Sequence, residues 1–248
     1  MKIKSFILMA AAMILAGCSE KLPIPQLGEK YTVLEVDMAE LSGLCLNKDK
    51  TKLLACGDTG IVKEISFTGE ATELWKSGAD MEGIALNPSN GDIYLAIEGT
   101  QKIHRLPAPI YNSEVEMFDV SSASAFKNSG IEAVEFYKRN TVFVGSQKGA
   151  NLWQYKLDGT LVSSISLSSF ASEIAALHYD EAADCLWVAD SKLAKVFVCT
   201  VEGQLLETYE FPFIENAEAI CLDRDRNCLW IGSDEDATKL YKIDFDTI

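Results

Sequence analysis

The chain has 248 residues, with 37 Asp and Glu against 22 Lys and Arg, a net charge of −15 and 48% hydrophobic residues. That balance excludes a nucleic-acid partner, which needs a basic footprint, and is compatible with cations or basic ligands. Its length suits one large all-β domain.

The first twenty residues, "MKIKSFILMAAAMILAGCSE", open with Lys2 and Lys4 and continue as an apolar run from Phe6 to Ala16, too short for a stable membrane span. The run ends in Leu15-Ala16-Gly17-Cys18, which resembles the lipobox of bacterial lipoproteins. The resemblance implies cleavage of a signal peptide, residues 1–17, and lipidation of Cys18 by acyl chains such as palmitate. Several chains on one cysteine meet the two-signal requirement for stable anchoring. Ser19 in place of Asp resembles an outer-membrane address. Residues 18–30, with two prolines and a glycine, read as a tether, and residues 31–248 as a single domain. Cleavage leaves 20 basic against 37 acidic side chains, net −17.

A repeated unit organises the rest. Its first strands are "LSGLCL" (41–46), "MEGIAL" (81–86), "IEAVEF" (131–136), "IAALHY" (174–179) and "AEAICL" (217–222). Second strands follow across short polar turns as "KLLACG", "DIYLAI", "TVFVGS", "CLWVAD" and "CLWIGS". Third strands are "IVKEISF", "KIHRL", "NLWQYKL", "KVFVCTV" and "KLYKIDF". The runs are short, β-branched and aromatic, bounded by Gly, Asn and Asp. Fourth strands lie in "FTGEATELW", "LDGTLVSSISL" and "VEGQLLETYEF", and in the second copy in "EVEMFDV" after an insertion through "PAPIYNS". The spacing is that of four-stranded propeller blades. The fifth copy has no room for a fourth strand, while "YTVLEVDM" (31–38) precedes the first copy without a partner. Pairing the two removes two sheet edges. The expected fold is an all-β, five-bladed β-propeller of four-stranded antiparallel blades closed by the N-terminal strand. Six blades are the alternative if "SSASAFKNSG" hides a degenerate copy.

Antiparallel neighbours place the start of a first strand and the end of a second strand at one face of the propeller. Glu82, Glu132 and Glu218 occupy starts of first strands, where the other copies have Ser42 and Ala175. Asp58, Glu98, Asp190 and Asp234 occupy ends of second strands, beside Gln147 of the third copy. Seven carboxylates thus converge on one mouth of the channel. Two of them about 5 Å apart repel by roughly 3 kcal/mol at an effective dielectric near 20. The cluster must raise its pKa values, hold water or bind a cation, and a ring of oxygens suits Ca²⁺. The competing reading is that these acids cap strand ends and accept backbone hydrogen bonds.

Other signals are weaker. "DRDRN" (223–227) opens like a calcium loop, but Cys228 stands where the sharp bend needs glycine, so a hairpin turn is expected. No G-x-S-x-G is present; His104 and His178 sit within strands and read as packed residues. Trp187 and Trp230 recur at equivalent places and read as core between blades. Cys185 and Cys199 flank a hairpin symmetrically and are candidates for a disulfide, with small buried hydrophobes the alternative.

With the copies aligned, "MEGIAL", "IEAVEF", "AEAICL", "LSGLCL", "LAIEGTQKIHRL" and "LWVADSKLAKVFV" resemble the SdiA-regulated (YjiK-like) family of envelope β-propellers over most of residues 31 to 246. The resemblance implies a propeller in the cell envelope, often with bound calcium and without an established enzymatic activity. Gluconolactonase- and phytase-like propellers share the Glu-Gly-hydrophobic start. They imply the alternative, a metal-dependent lactonase or phosphoesterase with Glu82, Glu132 and Glu218 as ligands and Asp190 or Asp234 as base. The favoured expectation is a lipid-anchored binding propeller whose partner is an envelope protein, a glycan or a small ligand.

Overall fold

Five sheets follow one another around an axis, each built by consecutive antiparallel strands except the last. The computed structural model describes residues 21–123, 130–138, 140–234 and 238–246. The signal segment, Cys18 and residues 124–129 of "SSASAFKNSG" lie outside them.

The chain begins with β1 (Leu27–Glu35). The first blade is β2 (Leu41–Leu46), β3 (Leu53–Gly57), β4 (Ile61–Ile65) and β5 (Ala71–Lys76). The second is β6 (Met81–Leu86), β7 (Ile93–Ile97), β8 (Lys102–Leu106) and β9 (Val115–Asp119). The third is β10 (Ile131–Tyr137), β11 (Thr141–Ser146), β12 (Asn151–Lys156) and β13 (Leu161–Ser166). The fourth is β14 (Ala176–Asp180), β15 (Cys185–Asp190), β16 (Lys195–Thr200) and β17 (Leu205–Glu210). The fifth is β18 (Ala217–Asp223), β19 (Cys228–Ser233) and β20 (Lys239–Phe245), completed on its outer edge by β1. The closing strand is therefore where the sequence places it, and the ring has five blades rather than six.

Turn chemistry agrees with this layout. Gly69, Gly159 and Gly203 link third to fourth strands with φ of +95°, +83° and +85°, a conformation that costs glycine little. In "DRDRN" the Asp223 carboxylate accepts the Arg226 N–H and pairs with its guanidinium, so the stretch is a hairpin turn, as expected.

The core is five seams, each shared by two neighbouring blades. Trp187 lies in the seam between the fourth and fifth blades and Trp230 in that between the fifth and first, both fully buried. Small residues let the inner strands crowd the axis. A Cβ on Gly83 would sit 2.7 Å from the Val134 nitrogen, and one on Gly43 2.8 Å from the Ile84 nitrogen. Inside, Leu44, Ile84, Val134, Leu177 and Ile220, one from each blade, are buried and divide the channel into two ends.

Two expectations change. Cys185 and Cys199 are free thiols. Cys185 pairs opposite Thr200 and Cys199 opposite Leu186, so the two side chains leave opposite faces of the sheet and enter different seams. The expected tether is also shorter: residues 27–30 already belong to β1. Before them, Leu22 N–H donates to the Ala182 carbonyl, Lys21 pairs with Asp184 at 2.9 Å, and the Pro23 and Pro25 carbonyls accept from Arg224 and Tyr209.

Candidate functional site

In four blades the first strand carries a β-bulge. Leu41, Met81, Ile131 and Ala217 each have a partner on the second strand, as do Gly43, Gly83, Ala133 and Ala219, but the residue between them has none. Those extra residues are Ser42, Glu82, Glu132 and Glu218. A bulge breaks the two-residue alternation and re-aims one side chain, here toward the axis. The glutamates are thus turned inward by an irregularity that a strand pattern does not reveal.

The ends of the second strands supply Asp58, Glu98, Gln147 and Asp234, each directly after the partner of the residue preceding the bulge. By the same register the fourth blade contributes Ser191, since Ala176 pairs with Ala189. Asp190 sits one position inside. It is fully buried, accepting from Ser172 N–H and Oγ, Glu173 N–H and Leu193 N–H. It braces a loop and is not part of the mouth. Of the seven expected carboxylates, six occupy the predicted ring.

Two further acids join them. Asp80 and Glu173 stand two residues before Glu82 and Ala175, in the segments that lead into the first strands. Glu40, Gly130 and Asn216 hold the same place in the other copies, so alignment at that offset was the available signal. Glu173 is buried, accepts from Ser191 Oγ at 2.7 Å and Lys192 N–H at 3.0 Å, and pairs with the Lys192 ammonium.

Asp58, Asp80 and Glu82 bring one carboxylate oxygen each within 4.8 Å of one another. Oxygens about 2.4 Å from a common calcium ion lie at most about 4.8 Å apart, so this trio meets a necessary condition for sharing one cation. Ser42 Oγ donates to the Asp58 carboxylate and orients it. Ser42, Glu82 and Glu132, with glycine and apolar residues of the inner strands, line a small hollow of about 10 Å³, the size of one water or ion.

The electrostatics agree with a need for positive charge. Burial, then Glu132, Asp58, Asp80 and Glu98, push Glu82 up to about 10. Burial, then Glu98, Glu218 and Glu173, push Glu132 up to about 9. Glu218 rises to about 7, chiefly by burial and then by Asp234, with Lys192 opposing. Asp58 rises to about 6 through burial, against the Ser42 hydrogen bond. Glu98 is raised by burial and Asp80, while the hydrogen bond it accepts from Glu132 holds it down. Without a cation the cluster keeps protons that free carboxylates would lose.

The histidines lie elsewhere. His104 Nδ1 meets Glu114 at 2.5 Å on the outer part of the second blade, and Glu114 also accepts from Trp75. His178 points into the opposite end of the channel.

No family model matches the chain, and no curated protein matches it. Solved structures do. A Bacteroides thetaiotaomicron protein of unknown function aligns with a TM-score of 0.61 at 14% identity, over 81% of this chain and 58% of the other. Virginiamycin B lyase from Staphylococcus aureus aligns with a TM-score of 0.56 at 14% identity, over 87% and 99%. A nidogen/laminin complex gives 0.57 at 14% identity, over 78% and 72%. The likeness is one of fold. The chain is an all-β propeller, and among the described residues no helix is long and apolar enough to cross a membrane.

Proposed function

We propose that the protein is a lipid-anchored envelope propeller of the SdiA-regulated type, which binds calcium at the carboxylate end of its channel and presents that end to a ligand or partner. The observation that carries the reading is the trio Asp58, Asp80 and Glu82, whose oxygens fall within 4.8 Å of one another. The raised pKa values of the surrounding glutamates support it, because a divalent ion would let them ionise. A hydrolase of the lactonase or phosphoesterase type has less support, since the hollow beside Glu82 and Glu132 holds about 10 Å³ and a substrate would rest outside it.

Lipidation at Cys18 would also orient the molecule. Residues 21–26 pack against the Ala182 and Arg224 turns, at the end of the channel away from the carboxylates. Three residues span at most about 10 Å, so the anchor would emerge at that end and the carboxylates would face away from the membrane.

Thermal unfolding in chelator and in millimolar calcium tests the metal reading. The expected result is a calcium-dependent rise in Tm that is absent in Glu82→Gln and Asp58→Asn. No rise in the wild type at several millimolar calcium would overturn it.

A further inference from the structure

At the end of the channel opposite the carboxylate mouth, the inner strands of all five blades line a cavity of about 440 Å³ that opens to solvent. That volume lies in the roughly 300–1,000 Å³ range of small-molecule sites. Its walls include Cys45, Leu86, Glu135, His178, Tyr179 and Leu222. The apolar ring of Leu44, Ile84, Val134, Leu177 and Ile220 separates it from the carboxylate end.

His178 Nδ1 lacks a hydrogen-bond partner among the described residues, and Glu135 Oε2 has none of good geometry, although the Tyr179 N–H faces the Glu135 carboxylate and favours its charged form. Glu135 is 8% exposed, and its other oxygen accepts the Phe136 N–H at 2.8 Å. Glu135 Oε2 and His178 Nδ1 are 3.6 Å apart, too far for a hydrogen bond between them. One oxygen about 2.8 Å from both would close the gap. Burial pushes Glu135 up to about 8 and His178 down to about 4, so near neutrality both are uncharged. The other charged lining groups are paired, with each other or with Arg226 beside them, or exposed. Arg224 holds Asp180 at 2.5 Å, Arg226 holds Asp223 at 3.0 Å and Lys50 holds Asp225 at 3.4 Å, while Lys48 and Glu181 stay exposed at the rim. An ionic ligand therefore finds no unpaired buried charge.

We propose that this cavity binds a neutral polyhydroxylated small molecule of monosaccharide size, one hydroxyl bridging Glu135 Oε2 and His178 Nδ1. A hydroxyl donates and accepts at once, so it serves a carboxylic acid and either imidazole tautomer. Phe136 and Tyr179 give the walls an aromatic surface for the apolar face of a sugar ring. The site is independent of the calcium site and lies beyond it along the axis.

The chain has two histidines, so ¹⁵N-histidine labelling yields two ring systems, told apart by the His104→Gln variant. Titration of the full-length protein with glucose, galactose, N-acetylglucosamine and glycerol is expected to move the His178 Nδ1 resonance saturably with at least one sugar and leave His104 still. Glu135→Leu should weaken that binding about tenfold, whereas Glu135→Gln, a neutral isostere of the protonated acid, should retain it within a few-fold. A His178 resonance unmoved by all four probes in folded wild-type protein overturns the proposal, as does sugar binding that moves only His104.

Discussion

Asp80 and Glu82, separated by Met81 alone, bring their carboxylates together with that of Asp58 from the neighbouring blade, all within 4.8 Å. Asp80 lies just before β6, and Glu82 is the extra residue of its bulge. The bulge re-aims the Glu82 side chain, so the trio depends on one backbone irregularity.

The first prediction follows from the repulsion in this trio. In chelator, Glu82→Gln removes a buried acid that the folded state must keep protonated, so the variant should be more stable than the wild type at pH 8, by about 1 kcal/mol or more. In millimolar calcium the order should reverse. Thermal unfolding at both conditions checks it, and a variant less stable in chelator would count against repulsion.

A pH dependence with a definite sign is expected. Folded-state pKa values of Glu82, Glu132, Glu135, Glu218 and Asp58 are raised to about 10, 9, 8, 7 and 6. Unfolded, the same groups titrate near roughly 4. The unfolded chain therefore releases protons first as pH rises, and stability that is complete below about pH 4 is lost progressively toward pH 10. His178 acts oppositely: held to about 4 when folded, it costs stability as pH falls below its unfolded value near 6.5. In chelator Tm should drop by about 5 °C or more between pH 6 and pH 9, and calcium should remove much of that drop. A flat or rising Tm over that interval would contradict the pKa directions.

Crowding at the axis gives a third test. Gly83→Ala places a Cβ 2.7 Å from backbone, which cannot move without shifting β10. A loss of about 1–3 kcal/mol is expected in denaturant unfolding, against about 0.5 kcal/mol or less for Gly99→Ala, where nothing lies within 4 Å.

The six cysteines of the described chain are buried and free. Burial raises the Cys185 and Cys199 thiols to about 12, so few are thiolates at neutral pH. An Ellman titration should find these six unreactive in the native protein and all reactive in denaturant without reductant. Two missing equivalents would indicate a disulfide and contradict the strand register.

A chain begun after Glu35 should lose cooperative unfolding. Without β1 the β20 edge is open, and Tyr31, stacked on Phe213 at 4.6 Å, no longer covers that blade. Size-exclusion chromatography is expected to show aggregation of the truncated chain.

The five repeats and their strand order are legible in the chain because short alternating runs recur five times, and the closing strand because one strand before the first copy has no partner of its own while the last copy lacks a fourth. The sequence also located Glu82, Glu132, Glu218, Asp58, Glu98 and Asp234, since antiparallel pairing carries equivalent positions to one end. The remainder depends on contacts between distant strands. A bulge or a one-residue offset inverts which face a side chain leaves, so Asp190 proved to be a buried brace, Asp80 and Glu173 joined the mouth, and Cys185 and Cys199 parted into different seams. The pair Glu135 and His178 was hidden for a related reason: whether a buried polar atom has a partner depends on five strands distant in sequence meeting around one axis.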